Sequence, residues 1–408
     1  MSERFSGAFW IICGASLLNR ATTFVYPLLA FYLANSLGWP AFRIGLTLSA
    51  MGAGAVVGAL VGGFATDFLG ASRTLFLGQI GNAAAMLALG LVTTPYAIVG
   101  AAAVLGFTNS MGRPALNTLV AAIVRPAART RAYSLVYWSA NVGFAVAPVL
   151  GGVLSGVGWF LVFAVNCAAL VVVGLVLVLT VRPPREQPAE PGGRSGTRPR
   201  GSLIGVLRRD GRLPVLVVGT FILSCLFTQS TSTLPTALAA DGFPPASYGL
   251  ALSVNGVVIV LLQLPLTRVL ERVDPAVSLV MAALLLGVGF GATAFAHDTV
   301  QVALCVAVWT LGEMLGLPVA ATAVTNLAPA GMRGRYHGLY TLSMGAAGSV
   351  APALGGAVLQ GYGSALWFWC LALGCVGGVL FFFLRGRLGE SAPEPEPAGS
   401  DARGHAEG

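Results

Sequence analysis

The sequence predicts an all-α integral membrane protein: twelve transmembrane helices in two homologous six-helix bundles. Three observations carry this. The chain of 408 residues is 56% hydrophobic and 9% charged, with a mean hydropathy of +0.82. Apolar runs of about 20 residues, the length that crosses a bilayer core as a helix, recur from end to end. They do not alternate as barrel strands do. The halves also repeat: "APVLGG" at 147–152 returns as "APALGG" at 351–356, an offset of 204 residues. The 54 glycines fit helices that pack closely in lipid.

The first run, near 8–33, has a charged start but continues through Asn19 and Arg20, so it reads as a helix and not a cleaved leader. Spans follow near 44–67, 74–94, 97–123, 132–156 and 159–181. A stretch rich in Pro, Gly and Arg then cannot bury a core. The second set lies near 213–238, 246–268, 276–296, 299–326, 336–360 and 364–384. In "TQSTSTLP" Ser and Thr are placed to satisfy backbone where Pro235 interrupts the seventh span. The expected domains are a first bundle over 1–182, a cytoplasmic linker over 183–212, a second bundle over 213–387 and a disordered cytoplasmic tail over 388–408.

One offset keeps the halves in register. Pro148, Gly151 and Gly152 match Pro352, Gly355 and Gly356; Pro114 matches Pro318; "IGLTLSAMG" at 44–52 matches "YGLALSVNG" at 248–256. Small residues permit close approach, and Pro frees a carbonyl and allows a bend. These six Pro and Gly are therefore candidate helix-packing residues. An export-specific role for the phrase is the alternative.

All 23 basic residues are Arg, and the net charge is +8. They fall in short loops between apolar runs, which points to membrane orientation and not to nucleic acid. With both termini in the cytoplasm, the inner loops hold Arg73, Arg125, Arg129, Arg131, the linker cluster, Arg268, Arg272, Arg333, Arg335, Arg385 and Arg387. The outer loops hold only Arg43. The expected location is the inner membrane, multi-pass, and the expected state a monomer. The six cysteines all fall in spans without a CxxC pair and read as small buried packing residues, not a zinc site or disulfide framework.

No cofactor or metal is expected. With no Lys there is no Walker phosphate loop. His297, His337 and His405 lie outside any metal spacing, and the Ser-rich spots lack a partner His. The chain is therefore not read as an enzyme. Its expected partners are the lipid bilayer, a small-molecule substrate and protons.

The duplicated six-span plan resembles the major facilitator superfamily of transporters, over nearly the whole chain. So does "GGFATDFLGASR" at 62–73, where Gly63, Asp67, Gly70 and Arg73 fit that family's loop signature between spans 2 and 3. Phe68 and Ala71 stand where the family often has Arg. "NVGFAVAPVLGG" resembles the signature associated with drug:proton antiporters, with Ala147 in place of a Gly. The resemblance implies a central cavity lined by spans 1, 4, 7 and 10, alternately open to each side, and a gate at Asp67.

Ionisable residues at membrane depth are costly and usually functional. Glu313 is the one acid inside a predicted span; Arg20 and Arg113 also lie inside spans. Desolvation favours a neutral carboxyl and a nearby Arg favours a carboxylate, so an acid balanced between them can load and release a proton. Glu313 is the candidate coupling residue, with a static salt bridge to Arg20 or Arg113 as the alternative. Its partner in the repeat is Asn109. Candidate cavity residues are Arg20, Asn19, Arg113, Asn117, Asn141, Gln229, Asn255 and Trp309, the last four residues before Glu313 and expected on its face. Each polar side chain has a second reading as interhelical glue. The function read from these features is proton-coupled export of small amphiphilic molecules by alternating access. The alternatives are import of an organic anion held by Arg20 and Arg113, or a non-transporting scaffold or sensor.

Overall fold

The computed structural model describes residues 5–125, 128–180, 211–270, 272–328 and 332–388. The expected linker lies outside these except for Gly211 and Arg212, and the expected tail except for Leu388. The described residues form twelve helices of membrane length. They are α1 (Gly7–Ser36), α2 (Ala41–Leu69), α3 (Ala71–Leu91), α4 (Pro95–Ile123), α5 (Arg129–Val157) and α6 (Trp159–Thr180). The second half holds α7 (Arg212–Ala240), α8 (Pro245–Leu270), α9 (Pro275–Phe295), α10 (Thr299–Leu327), α11 (Arg333–Tyr362) and α12 (Ala365–Phe382). Eleven are long and apolar enough to cross a membrane. The other, α4, is 29 residues long but diluted by Thr108, Asn109, Ser110 and Arg113.

The halves pack by one plan. In the first, α2 and α3 lie on α4, α3 on α6, and α1 on α5; in the second, α8 and α9 lie on α10, α9 on α12, and α7 on α11. Glycine sets the closest of these approaches. Gly54, Gly58 and Gly62 of α2 recur every four residues and meet the carbonyls of Ala103, Phe107 and Met111, also four apart, on α4. A Cβ at any of the three would run into backbone, and in lipid such close packing replaces the hydrophobic drive that water would give.

Helices α1 and α7 are broken. In α1 the first segment ends at Thr22 and a second resumes at Val25. Pro27 has no N–H for the carbonyl four residues earlier, and the Thr22 hydroxyl donates to the Leu18 carbonyl at 2.9 Å, that of Thr23 to the Asn19 carbonyl. In α7 the break falls at 230–232, before Pro235. The Ser230 hydroxyl donates to the Phe227 carbonyl at 2.7 Å and that of Ser232 to the Thr228 carbonyl at 2.8 Å. The Tyr248 hydroxyl of α8 donates to the Ser230 carbonyl at 2.9 Å. Hydroxyls thus bond carbonyls in the turns around both breaks, and the Ser230 carbonyl is served from α8.

Helix polarity alternates, so the start of α1 and the end of α12 share one face, here the terminal face; the other is the far face. The halves meet along α2–α11 and α5–α8. On the first seam Gly356 meets Ala41, Gly45 the Pro352 carbonyl, Gly52 the Gly348 carbonyl, and Gly345 Val56. On the second Gly152 meets Ala246, Gly249 the Pro148 carbonyl, and Gly256 Ala145. Near the far face the Phe42 N–H donates to Gln360 Oε1 and the Ala353 N–H to Ser49 Oγ, both at 3.0 Å, and Phe31 packs on Tyr248 with centroids 5.6 Å apart. Toward the terminal face the first seam ends. Gly63 continues the same stripe of α2 seven residues past Val56, and Gly338 that of α11 seven before Gly345, yet neither has an atom within 4 Å of an added Cβ. Along the α2–α11 seam the halves are thus in close contact toward the far face and, among the described residues, parted at Gly63 and Gly338 toward the terminal face.

Candidate functional site

Inside the first half lies a cavity of about 470 Å³, walled by α1, α3, α4 and α5, a size typical of small-ligand sites. Of the expected cavity residues, Asn19, Arg20, Arg113 and Asn117 line it. Arg20 sits in the last turn before the break in α1, where a cation suits the helix dipole. Arg113 comes from α4 just ahead of Pro114. Both guanidinium side chains are exposed to the cavity. Among the described residues neither makes a hydrogen bond or ion pair, and no acid lines the same walls. The rest of the polar lining includes Gln79 and Asn109, with Tyr137 presenting a 64% exposed ring. Leu75, Leu116 and Val136 supply apolar wall.

Glu313 lies in the second half and does not line that cavity. Its carboxylate Oε2 accepts from Asn255 Nδ2 of α8 at 2.8 Å. The same nitrogen donates to Thr310 Oγ1 at 3.0 Å, and that hydroxyl donates to the Val306 carbonyl at 2.6 Å. Asn255 and Thr310 are buried and Glu313 is half-buried. Turned over, the amide would set its oxygen against the carboxylate, so the cluster fixes the amide's orientation. Neither Arg20 nor Arg113 pairs with Glu313: the two cations and the acid belong to different halves.

Four expected cavity residues stand elsewhere. Trp309 is 1% exposed and stacks on Phe290 of α9, centroids 5.6 Å apart, so it is core of the second half. Gly289 of α9 lies against its backbone and Cβ, so the two helices approach closely there. Gln229 is buried and bonded within α7, its Nε2 donating to the Cys225 carbonyl and its Oε1 accepting from Thr233. Asn141 donates to the Tyr137 carbonyl one turn back in α5. Asn255 serves Glu313. The cysteine expectation also needs correcting: four are buried, Cys167 is intermediate and Cys375 exposed.

Gly70 turns α2 into α3 at φ +82° and ψ +157°, a conformation that side chains other than glycine's avoid. Asp67, four residues past Gly63 on the seam stripe, is exposed. Of the packing glycines, Gly152 and Gly356 face the other half, whereas Gly151 faces Phe24 and Leu28 of α1, and Gly355 faces Gln229 and Thr233 of α7.

Sequence reasoning missed Gln79, Asn109 and Tyr137 as cavity residues. Asn109 carried a signal, as the repeat partner of Glu313; Gln79 and Tyr137 needed the packing of α3 and α5 on α1. Two further buried amides brace the break in α1: the Tyr26 hydroxyl donates to Asn82 Oδ1 at 3.4 Å, and Asn166 Nδ2 donates to the Thr22 carbonyl. Among the described residues no group of three His, Cys, Asp or Glu could hold a metal ion.

The chain is similar to known transporters along its length. It is 24% identical over 359 residues to the MFS-type transporter YqjV of Bacillus subtilis, covering 87% of this chain and 86% of that protein. It is 27% identical over 375 residues to the multidrug resistance protein MdtH of Aeromonas hydrophila, covering 90% and 92%. Its fold matches the crystal structure of the nucleoside transporter NupG with a TM-score of 0.78 at 17% identity, over 93% of this chain and 99% of that one. The family model of the Major Facilitator Superfamily matches residues 9–242 and 216–406. Twelve helices in two like halves are thus joined to a sequence match over both halves, and the chain belongs to the Major Facilitator Superfamily, as a secondary transporter.

Proposed function

We propose that the protein is a proton-coupled antiporter that exports small amphiphilic molecules across the inner membrane by alternating access. The carrying observation is Glu313. It is an acid at mid-span, half-buried, held by a neutral amide and without a cationic partner among the described residues. A carboxyl so placed is costly to keep charged and is not locked in that form by an ion pair, which suits a group that gains and loses a proton.

The Arg bias supports a cytoplasmic terminal face. The parted side is then cytoplasmic, the side from which an exporter loads. The name of the relative MdtH, a multidrug resistance protein, supports drugs as the substrate class. A scaffold or sensor would have no use for an acid that the repeat does not demand, since Asn109 occupies the matching place. The two arginines of the cavity favour an anionic substrate within this reading. The test is transport into inverted vesicles with an imposed pH gradient, against a panel of amphiphiles. Gradient-driven uptake that collapses with a protonophore is expected; uptake indifferent to the gradient for every compound taken up would overturn proton coupling.

A further inference from the structure

We propose that the cavity of the first half is an anion site: Arg20 and Arg113 together hold the carboxylate, sulfonate or phosphate head of an amphiphilic substrate, whose apolar body lies along Tyr137, Leu116 and Val136. The inference deepens the transporter reading and rests on it only in taking this cavity as part of the substrate's path.

Three observations converge. First, both guanidinium groups reach one cavity from different helices, α1 and α4, and both are exposed to it. Second, neither has an ion pair or hydrogen bond among the described residues, and no acid lines the cavity. Two like charges at membrane depth without a counter-ion are an expensive arrangement. A static structural role would give them a carboxylate, and the one acid expected inside a span, Glu313, is engaged with Asn255 in the other half. Third, the remaining polar lining is rich in amides, from Asn19, Gln79, Asn109 and Asn117, whose N–H groups can donate to an anion beside the arginines. Arg forks suit planar oxyanions that accept two bonds at once. The ring of Tyr137 and the aliphatic wall make the site amphiphilic rather than purely ionic. A quaternary ammonium drug would meet two like charges and no acid there.

The separation has a consequence. With the anion in the first half and the proton carrier in the second, the two ligands do not compete for one carboxylate. Coupling then runs through the movement of the halves and not through direct exchange at a shared site.

The test is equilibrium binding to the purified full-length chain in neutral detergent, by calorimetry. The probes are four decyl amphiphiles below their micellar concentrations: decanesulfonate, decanoate, decanamide and decyltrimethylammonium. The two anions are expected to bind at least tenfold more tightly than the ammonium, and to weaken as salt rises. Arg113→Gln and Arg20→Gln should each lower decanesulfonate affinity about tenfold or more while leaving decanamide unchanged; Arg113→Lys should lose less, because it keeps the charge but not the fork. Equal affinity for sulfonate and ammonium in the unaltered protein would overturn the proposal without any variant having to fold. So would undiminished sulfonate binding in both Gln variants. Binding in detergent needs no gradient, so an anion site that holds while gradient-driven transport fails would sink the coupling reading and spare this one.

Discussion

Gly45 of α2 lies against the backbone carbonyl of Pro352 in α11, too close for any Cβ between them. The repeat makes the same contact a second time: Gly249, its partner at 204 residues, lies against the carbonyl of Pro148. The phrase duplicated in the sequence is thus read by a duplicated glycine in the opposite half. Each Pro lacks the N–H that would bond the carbonyl four residues earlier. On α11 that released carbonyl belongs to Gly348, and it faces Gly52 of α2. Both seams lie toward the far face, so they exist in this closed arrangement and must loosen for the far face to open.

A larger residue at either glycine should therefore act on the equilibrium between states. Gly45→Val and Gly249→Val must each displace backbone, with an overpacking cost of about 1–3 kcal/mol. Each should move the population toward the far-face-open form. The shift is measurable as increased labelling of a cysteine introduced at Asn35 or Thr236, which line a pocket at the far face. Gly151→Leu and Gly355→Leu instead meet side chains of their own half, so they should lower thermal stability with a smaller change in labelling. Similar labelling changes for all four would show that the cross-half contact has no special part.

How much of this was legible beforehand depends on the kind of residue. The spans, the repeat and the packing character of Pro148 and Pro352 follow from apolar length and periodic small residues, which need only the chain itself. The partner of Glu313 did not. Electrostatics along the sequence suggests an Arg, whereas the fold sets α8 beside α10 and gives it Asn255. Trp309 was misplaced because a spacing of four fixes a shared face only to within a broad arc. The packing of α9 onto α10 turns that arc into the core. Arg20 and Arg113 share a cavity because α1 and α4 both pack near α5, a relation that no local pattern encodes.

Removing the titration of Glu313 while keeping its shape is the sharpest test of coupling. Glu313→Gln should fold, insert and exchange substrate at equal concentrations, but fail to accumulate it under a pH gradient. Asn255→Leu removes the donor at 2.8 Å and leaves a carboxylate without its hydrogen bond, a loss of about 1–3 kcal/mol. It should slow gradient-driven transport severalfold or more, and the double variant should be no worse than Glu313→Gln alone. Additive losses would mean that the two residues act separately.

The turn between α2 and α3 makes a narrower prediction. Gly70 at φ +82° occupies backbone space that costs a residue with a Cβ about 1–3 kcal/mol, while the space around it is open. Gly70→Ala should lower the unfolding midpoint in detergent by a few degrees without any steric clash to relieve. Gly63→Ala, helical and equally uncrowded in this state, should be neutral or slightly stabilising. An unchanged midpoint for Gly70→Ala would mean that the turn relaxes at no cost.

Asp67 bears on the other gate. It follows Gly63 by four residues on the stripe of α2 that faces α11, and here it is exposed with no ion pair among the described residues. Helix α11 begins at Arg333 on the same face of the molecule, so its N-terminal end carries partial positive charge there. When the terminal face closes, the seam that now stops near Val56 and Gly345 must extend toward Gly63 and Gly338, and Asp67 is carried toward that helix end. A carboxylate at a helix N-terminus is worth about 0.3–2 kcal/mol, and we propose that this contact forms on closure and stabilises the closed terminal face. Phe68 and Ala71 add no charge of their own to the contact. Asp67→Asn should shift the resting population toward the terminal-face-open form by a factor of about 2 to 30. A cysteine reporter at Tyr137, exposed in the terminal-side cavity, should label faster, and one at Thr236 should label more slowly. Unchanged or reversed labelling, with expression intact, would mean that Asp67 has no part in holding that face shut.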